Sequence, residues 1–253
     1  MDFTDKRILI TGSSRGVGKA AAKLFLGHGA RVAINGRTEE SVAKAITELG
    51  GDNLVAAPGD VASKAGCDAV VGQALDGLRG LGGLDVLVNS AGVYRTGDIE
   101  GFDEAEWDRT MAVNLKGPFF CTMAALAALR ESKGNVVHVA SESGLIGNPA
   151  STVYCASKGG VVNMTRAMAL DLAPEVRVNC ICPGATDTDM TQRDLAQYDD
   201  PKALYAAMCE GYPLKRIATP EEVAGGIVYL ASAGAGFMTG AALAMDGGSS
   251  AGH

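Results

Sequence analysis

Short apolar segments rich in β-branched residues alternate with longer segments of helical periodicity along the chain. Parallel strands need such crossover segments between them, and strands covered on both faces read as continuous apolar runs, as in Val86-Leu87-Val88. The alternation therefore predicts an α/β fold, a single doubly wound parallel sheet of about seven strands with helices on both faces. The predicted strands are Arg7–Thr11, Arg31–Asn35, Asn53–Ala57, Leu84–Asn89, Asn135–Ala140, Arg177–Ile181 and Ala241–Met245. The predicted helices are Gly16–His28, Glu39–Leu49, Lys64–Leu78, Glu104–Asn114, Gly117–Arg130, Thr152–Leu172 and Pro220–Ala231, and we expect residues 1–253 to form one domain.

The polar, acidic stretch Thr186–Pro213 interrupts this alternation before the predicted helix at Pro220. In an open α/β sheet, ligands bind beyond the carboxyl ends of the strands, and a long insertion there is typical of a lid. We therefore expect the segment at about 186–213 to shape the choice of substrate.

The chain carries a formal net charge of −7. Nucleic-acid binding depends on concentrated Lys and Arg residues, and the lack of such a cluster disfavours a nucleic-acid partner. No apolar run in the sequence reaches the roughly 20 residues that span a bilayer, and residues 1–5 lack the basic start of a signal peptide. We expect a cytoplasmic protein without membrane contact that acts on small molecules.

Metal-binding patterns are absent from the sequence. The six cysteines show no Cys-x-x-Cys spacing and mostly lie in apolar segments, so we interpret them as reduced core residues. The three histidines, His28, His138 and His253, lie far apart with no cysteine or acidic partner at ligand spacing. We predict no metal ion.

The first predicted strand runs directly into a glycine-rich turn and then an alanine-rich helix. Glycines here permit a sharp bend, a close approach to a pyrophosphate and tight packing of helix on strand, while the helix N-terminus faces the anion. An ordinary glycine-rich turn is the alternative, and the strand–turn–helix context favours a dinucleotide site. The candidate residues are Gly12, Ser14, Arg15, Gly16, Val17 and Gly18.

The end of the second predicted strand bears on the choice between NAD(H) and NADP(H). NAD-binding units place an acidic side chain there for the ribose hydroxyls, whereas this chain has Gly36 followed by Arg37. The guanidinium of Arg37, with Arg15 on the other side, suits a ribose 2′-phosphate, although Arg37 also fits the solvated start of a helix. We predict NADP(H), with NAD(H) as the alternative.

Two further turns can contact a dinucleotide. After the third strand, the Asp60 carboxylate can accept a hydrogen bond from the adenine amino group, and the amide of Val61 can complete the contact. After the fourth strand, the small residues Ala91 and Gly92 let the backbone pass under the cofactor, while Asn89 can tie neighbouring strands together. An ordinary turn is the alternative for each.

Tyr154 and Lys158 are spaced i and i+4, on one face of the predicted Thr152–Leu172 helix. A free phenol titrates near ~10, and a neighbouring ammonium lowers its pKa because it favours the phenolate. Ser141 follows the fifth strand, and its hydroxyl can reach the same reacting oxygen. A Tyr-x-x-x-Lys pair alone is common by chance, but the three residues together suit proton exchange with an alcohol or a carbonyl.

This ordered set of motifs resembles the short-chain dehydrogenase/reductase family, specifically its single-domain members with a Rossmann fold. The resemblance covers essentially the whole chain. Its motifs are the glycine turn, Asp60, Asn89-x-Ala91-Gly92, Asn114, Ser141, Tyr154-x-x-x-Lys158 and Pro183-Gly184-x-x-x-Thr188.

The resemblance implies a role for each matched residue. Tyr154 would exchange the proton with the substrate oxygen, Ser141 would hold that oxygen, and Lys158 would lower the pKa of Tyr154 and bind the nicotinamide ribose. Asn114 would carry a water that links Lys158 to solvent. The segment that would hold the nicotinamide end of the cofactor contains Pro183, Gly184, Thr186 and Thr188.

Two positions depart from the family pattern. Ser90 stands where the family commonly has a second Asn, which affects only local hydrogen bonding. Glu142, directly after Ser141, is an unusual charge near the pocket; it can contact a polar substrate or face solvent, and we expect it to face solvent.

The predicted helices Gly117–Arg130 and Thr152–Leu172 carry more apolar surface than one sheet face covers. In the resembled family the corresponding helices form symmetric subunit interfaces, which implies a homotetramer. Ordinary burial against the sheet is the alternative, and it accounts for a large part of those residues.

Three functions remain open at this point. The first is a carbonyl reductase or alcohol dehydrogenase for a small polar or cyclic substrate. The second is a 3-oxoacyl thioester reductase, because the segment Thr188–Thr191 resembles that branch of the family. The acidic insertion counts against it, since it would repel an acidic carrier protein. The third is a non-catalytic NADP(H)-binding sensor, which would have no need of the Ser141, Tyr154 and Lys158 set. Residues that can line a substrate pocket are Tyr94, Arg95, Ile146, Asn148, Tyr198, Tyr205, Met208 and Tyr212.

Overall fold

The computed structural model describes residues 1–78 and 83–252, and seven strands within these ranges form one sheet. The strands are β1 (Arg7–Thr11), β2 (Arg31–Ile34), β3 (Leu54–Ala56), β4 (Val86–Asn89), β5 (Asn135–Val139), β6 (Arg177–Pro183) and β7 (Ala242–Met245). Their order is β3-β2-β1-β4-β5-β6-β7, and every neighbouring pair is parallel. The predicted doubly wound sheet is therefore confirmed, and the strand order reverses between β1 and β4, where such folds open a crevice.

Nine α-helices lie within the described ranges and cover both faces of the sheet. They are α1 (Gly16–Gly27), α2 (Glu39–Leu49), α3 (Lys64–Gly77), α4 (Glu104–Met111), α5 (Gly117–Ser132), α6 (Thr152–Leu172), α7 (Asp189–Leu195), α8 (Pro201–Gly211) and α9 (Pro220–Ala231). A π-helical turn, Ala112–Lys116, joins α4 to α5 without a break.

Side-chain caps determine where several helices begin. At the start of α9, Thr219 Oγ1 accepts from the Glu222 amide at 3.2 Å, and the Glu222 carboxylate accepts from the Thr219 amide at 2.9 Å. This reciprocal pair is a capping box, with Pro220 at the first helical position. Helix α1 begins differently, because its N-cap residue Arg15 makes no side-chain cap hydrogen bond. The first amides of α1 therefore have no side-chain acceptor from the cap position.

The two faces of the sheet bury separate apolar clusters. On one face, α1 and α9 pack against the strands, with Phe25 and Ile227 fully buried among them. On the other face, α3 and α5 cover the sheet, with Leu87 and Leu129 fully buried. Burial of β1 on both faces explains the apolar run Ile8-Leu9-Ile10 at its centre.

A buried ion pair fixes the amino end of the sheet. Asp85 Oδ2 accepts from Arg7 Nε at 2.8 Å and from the Arg7 amide at 3.0 Å, and its other oxygen accepts from Lys6 Nζ at 3.0 Å. Burial alone would raise the pKa of Asp85, but the hydrogen bonds from Arg7 and Lys6 outweigh it and leave the pKa below its ordinary value. The carboxylate thus joins β1 to the segment that precedes β4.

Replacing Asp85 with Asn should destabilise the fold by about 3 kcal/mol, because breaking a buried pair leaves the Arg7 charge uncompensated. In the wild type, this contribution is present above the pKa of the unfolded carboxyl and is lost as the pH falls through the lower pKa of the folded state. Urea denaturation of both proteins at neutral and acidic pH tests this. The free-energy gap should shrink in acid; a gap that stays constant with pH would contradict the assignment.

Helix α4, the π turn and α5 form one helical run, Glu104–Ser132, where the sequence predicted two helices ending at Asn114 and Arg130. By length and composition alone this run is apolar enough to cross a membrane, contrary to the expectation that no run would be. Core helices pass the same test, and the inner face of α5 packs in the apolar core through Cys121, Ala125 and Leu129. Its outer face carries Phe119 and Met123, both exposed.

The acidic insertion is itself helical, with α7 and α8 between Thr188 and Tyr212. Of the six cysteines, all of which are free thiols, four are buried as expected and two, Cys155 and Cys209, are half-buried. His253 lies outside the described residues, and in the ranges 1–78 and 83–252 no group of three His, Cys, Asp or Glu side chains is placed to hold a metal ion. His138 is fully buried, and burial together with the Lys158 charge lowers its pKa to about 3.

Candidate active site

The glycine turn after β1 packs directly against the loop after β4. Gly12 has φ +66°, and a Cβ there would lie 2.6 Å from the Ala91 Cα, so only glycine fits without a shift. The Asn35 side chain accepts from the Gly12 amide at 3.0 Å and holds the turn in place. Above it, the amino end of α1 lacks a side-chain cap. This arrangement offers backbone amides to an anion at the switch point of the sheet.

The other predicted glycines serve packing and access. A Cβ on Gly18 would lie 2.7 Å from the Gly12 carbonyl oxygen, so helix and strand approach closely at that point. Gly16 has φ +55°, and the Thr188 side chain is 3.6 Å from its Cβ position. Ser14 and Val17 are half-buried in the same turn. The beginning of the insertion therefore lies over the glycine turn.

The end of β2 is tightly packed and carries no acidic side chain. A Cβ on Gly36 would lie 2.8 Å from Ser41 Oγ and 2.9 Å from both Cβ and Oγ of Ser14, so a side chain there would require one of the serines to shift. The position that carries a ribose-binding carboxylate in NAD-binding units thus lacks one in this chain. Arg37 follows with an exposed side chain, and in the described part of the chain it has no ion-pair partner.

Three arginines gather near this position. Burial lowers the pKa of Arg15, and the charges of Arg193 and Arg37 lower it further, while Asp189 opposes them. Like charges that perturb one another in this way lie close together, and neither Arg15 nor Arg37 is engaged in an ion pair among residues 1–78 and 83–252. Sequence analysis identified Arg15 and Arg37 but missed Arg193, which α7 brings from more than 150 positions away.

The residues predicted around the adenine and the cofactor backbone have different surroundings. Asp60 is exposed, and its Oδ1 accepts from the Ala62 amide at 3.0 Å, while Val61 is buried. Asn89 is buried, and its amide nitrogen lies 3.3 Å from Thr122 Oγ1 and 3.2 Å from His138 Nδ1. Its amide nitrogen thus ties β4 to β5 and α5, while its Oδ1 is buried without a hydrogen-bond partner in the described ranges.

The segment after β6 curls back over the site. The Gly184 amide donates to the Met245 carbonyl at 3.2 Å, and Thr186 Oγ1 donates to the Gly184 carbonyl at 3.1 Å. Thr188 caps α7, and its Oγ1 accepts from the Thr191 amide at 3.4 Å. Together with Pro183 at the end of β6, these residues form a hydrogen-bonded segment beside the glycine turn.

The structure brings Ser141, Tyr154 and Lys158 together at the carboxyl end of β5. Lys158 is buried; its Nζ lies 5.6 Å from the centre of the Tyr154 ring and donates to the Val139 carbonyl at 2.8 Å. Gly92 lies beside this pair, with its Cβ position 3.8 Å from Lys158 Nζ. Tyr94 packs edge-on against the Tyr154 ring at 4.8 Å between centroids, which places one of the pocket candidates at the reacting phenol.

The two titratable groups of this set are both shifted by burial. Burial raises the pKa of the Tyr154 phenol above its ordinary value, and a hydrogen bond with Ser141 opposes that effect. Burial lowers the pKa of Lys158 to about 8. Contrary to the expectation that the Lys158 ammonium lowers the pKa of Tyr154, burial prevails, and the protein alone leaves the phenol neutral at physiological pH, in its proton-donor form.

Asn114 lies in the π turn, fully buried next to Lys158. Its Oδ1 accepts from the Val93 amide at 2.8 Å, and its Nδ2 donates to the Val93 carbonyl at 2.9 Å and to Ser157 Oγ at 3.1 Å. Oδ1 is also 3.6 Å from the Cβ position of Gly92. Both amide protons of Asn114 are used, so only an oxygen remains to hold a water molecule.

The insertion closes over the loop that follows β4. Thr96 Oγ1 lies 3.3 Å from Asp194 Oδ1 and 3.3 Å from the Tyr198 hydroxyl. Two other residues predicted to line the pocket contact their own neighbours. The Arg95 guanidinium lies 5.4 Å from the centre of the Phe102 ring, and Asn148 donates to Ser143 Oγ at 2.7 Å. The segment at about 186–213, which the sequence predicted to be a lid and which we call the lid below, thus contacts the loop after β4 through Asp194 and Tyr198.

The expectation that Glu142 faces solvent is wrong. Glu142 is only 8% exposed, and its Oε1 accepts from the Tyr212 hydroxyl at 2.6 Å. Tyr212, 70 positions later, is buried at the end of α8. A local sequence pattern gives no sign of this contact, because the lid alone brings the two residues together.

A crevice at a topological switch point, uncapped helix amides facing it and a serine, tyrosine and lysine at its edge define a nicotinamide-dependent oxidoreductase of hydride-transfer type. A family model described as enoyl-(acyl carrier protein) reductase matches residues 12–250. The chain belongs to the short-chain dehydrogenase/reductase family.

Individual relatives are similar to this chain over nearly the full length of both proteins. An uncharacterized oxidoreductase of Thermotoga maritima is 40% identical, over 99% of this chain and 100% of that protein. Meso-2,3-butanediol dehydrogenase of Serratia marcescens is 37% identical, over 99% and 97% of the two chains. The crystal structure of 3-ketoacyl-(acyl-carrier-protein) reductase from Brucella melitensis complexed with NADH superposes with a TM-score of 0.88 at 30% identity, over 98% and 100% of the two chains.

Proposed function

We propose that this protein interconverts a small carbonyl compound and its secondary alcohol with NADP(H), using Tyr154 as the general acid and base. The observation that carries the proposal is the assembly of Ser141, Tyr154 and Lys158 next to the uncapped end of α1. When bound, the nicotinamide cofactor supplies or accepts the hydride. The protein supplies the matching proton and holds the reacting oxygen.

In the reducing direction, Tyr154 donates its proton to the substrate oxygen while Ser141 holds that oxygen by a hydrogen bond. Lys158, at 5.6 Å from the Tyr154 ring, faces the phenolate that this transfer leaves and stabilises it by charge. The proton returns through Lys158 and a water molecule that donates a hydrogen bond to an oxygen of Asn114. The family resemblance implies these four roles, and the positions of the residues support them.

The arginine cluster and the tightly packed Gly36 position support NADP(H) over NAD(H). Neither Arg15 nor Arg37 forms an ion pair within 4.0 Å in the described ranges, although the Asp189 charge acts on Arg15, so both guanidinium groups can still bind a phosphate. We propose that the adenosine end is held by Gly12, Ser14, Arg15, Gly16, Val17, Gly18, Arg37, Asp60, Val61, Asn89, Ala91 and Gly92. The nicotinamide end would be held by Tyr154, Lys158, Pro183, Gly184, Thr186 and Thr188.

A 3-oxoacyl thioester reductase is the second candidate, favoured by the similarity to the Brucella ketoacyl reductase. Carrier proteins of that pathway are acidic, and the lid presents Asp187, Asp189, Asp199 and Asp200. Like-charge repulsion at the mouth counts against such docking and favours a free small substrate. A non-catalytic sensor would not need the buried residues Ser141, Tyr154 and Lys158 for proton transfer.

Cofactor absorbance over a panel of ketones, hydroxyketones, sugars and 3-oxoacyl thioesters tests the proposal. Turnover of a small ketone with NADPH is the expected result. Turnover of the thioesters alone would favour the second candidate. Cofactor binding without turnover of any member would overturn the proposal and favour the sensor.

We further propose a homotetramer in the cytoplasm, built from one catalytic domain per chain. Its support is a groove of about 790 Å³ between α4, α5 and α6, lined by apolar residues such as Met111, Leu115, Phe119 and Met164. The free thiols of all six cysteines suit a reducing compartment. Sedimentation equilibrium should give four times the 25.8 kDa of one chain, and Phe119→Glu should lower that mass. A monomeric wild type would contradict the proposal.

A further inference from the structure

Tyr94 lies in a loop whose backbone is held on both sides of it. Before it, the Val93 amide donates to Asn114 Oδ1 at 2.8 Å, and the Val93 carbonyl accepts from Asn114 Nδ2 at 2.9 Å. After it, the Gly97 amide donates to the Ala150 carbonyl at 2.9 Å. The loop after β4 is thereby joined to the π turn and to the segment that precedes α6, so the backbone of Tyr94 has little freedom to move.

The Tyr94 side chain is also held in place. Its ring packs on the Tyr154 ring with 4.8 Å between centroids and 77° between planes, an edge-to-face contact that stabilises aromatic pairs. Its hydroxyl lies 3.4 Å from Oγ of Ser151, a buried residue whose side chain does not cap α6. Burial raises the pKa of the Tyr94 phenol, so this group is uncharged at physiological pH. With its hydroxyl beside Ser151, the ring of Tyr94 forms a fixed apolar surface next to Tyr154.

This surface restricts the space around the reacting phenol. A carbonyl oxygen that takes the proton of Tyr154 must lie within about 2.6–3.2 Å of the phenol oxygen. The rings of Tyr94 and Tyr154 are in van der Waals contact at 4.8 Å between centroids, so no substituent of the carbonyl carbon fits between them. A substituent that points toward the loop after β4 therefore meets a ring that is not free to move aside.

We infer that Tyr94 is a specificity-determining residue, whose ring is a fixed wall beside the general acid and admits only a small group, such as methyl, on one side of the carbonyl carbon. The preferred substrates are therefore ketones with one small and one larger substituent, together with the secondary alcohols derived from them. This inference rests on the proposed function, because it names the substrate class of the same site.

Two isomeric ketones separate the size of one substituent from overall hydrophobicity. Methyl pentyl ketone and dipropyl ketone have the same formula, and only the second places more than a methyl group on each side. Because each methylene in a hydrophobic pocket changes kcat/KM by roughly 10- to 200-fold, we expect the wild type with NADPH to favour the methyl ketone by about a hundredfold. Tyr94→Ala removes the wall and should reduce that preference to about fivefold or less, chiefly through a higher kcat/KM for dipropyl ketone.

The matched control is Tyr94→Phe, which keeps the ring and loses only the hydroxyl beside Ser151. It should retain the wild-type preference within about twofold. Tyr94→Leu keeps part of the side-chain volume and should give an intermediate preference, so the inference is still tested where Tyr94→Ala folds poorly. The preference is a ratio of two rates measured on one sample, and a lower fraction of folded enzyme does not change it.

Three results would overturn the inference alone. The first is a wild type that reduces both isomers equally well, or neither of them while it reduces another member of the panel. The second is a Tyr94→Ala variant that keeps the wild-type preference, and the third is a Tyr94→Phe variant that loses it, which would assign selection to the hydroxyl. Absence of turnover with every compound would contradict the proposed function as well, so the two failures are distinguishable.

Discussion

Tyr154→Phe should lower kcat for carbonyl reduction by about a thousandfold, the contribution typical of a positioned general acid. The phenyl ring keeps the edge-on contact with Tyr94 and the packing over Lys158, so only the proton donor is lost. Affinity for the dinucleotide should change little, because the glycine turn and the arginines are untouched. Steady-state rates together with fluorescence titration of NADPH measure the two quantities.

Tyr229→Phe is the matched control for that variant. Tyr229 lies on α9, and its hydroxyl contacts only the Met238 sulfur among the described residues, so its loss should leave kcat within about twofold. The mechanism fails if Tyr154→Phe retains a tenth or more of wild-type kcat. A parallel loss of NADPH affinity would instead place Tyr154 in cofactor binding rather than in proton transfer.

The sheet was predictable because its signal is local. Each buried strand reads as an apolar run, as in β1 and β4, and each crossover reads as a helical period. Parallel connections then leave few ways to order the strands. The glycine turn could also be predicted from the sequence, because Gly12 approaches Ala91 so closely that only a residue without a side chain fits there.

The burial of Glu142 could not be predicted from the sequence. A charged residue after a strand is usually solvated, and only the fold of the insertion brings Tyr212 over it. The effect of the Arg193 charge on Arg15 could not be predicted for the same reason, because the sequence around an arginine on a polar helix does not indicate which residues the fold brings near it. Both contacts involve the lid, whose position depends on tertiary contacts such as that between Thr96 and Asp194.

The proposed preference for NADP(H) depends on a different kind of sequence signal, the absence of a side chain. Gly36 alone suggests only that no carboxylate is present. The structure adds that Ser14 and Ser41 would lie 2.9 and 2.8 Å from a Cβ at position 36, so a side chain there would require them to shift. The proposed preference for NADPH would therefore depend on the cations Arg15 and Arg37, and the charges of Arg37 and Arg193 both act on Arg15.

Arg15→Ala combined with Arg37→Ala should lower kcat/KM for NADPH by about a thousandfold, since each charge-assisted contact to a phosphate contributes ~1.5–3 kcal/mol. The value for NADH should change little, because that cofactor offers no 2′-phosphate, so the preference between the two should be lost. Rates with both cofactors at fixed ionic strength measure this. Arg31→Ala, at the opposite end of β2, is the control and should keep the wild-type preference. Equal losses with NADPH and NADH would mean that the arginines bind a group the two cofactors share, such as the pyrophosphate, and that the 2′-phosphate is not what they recognise.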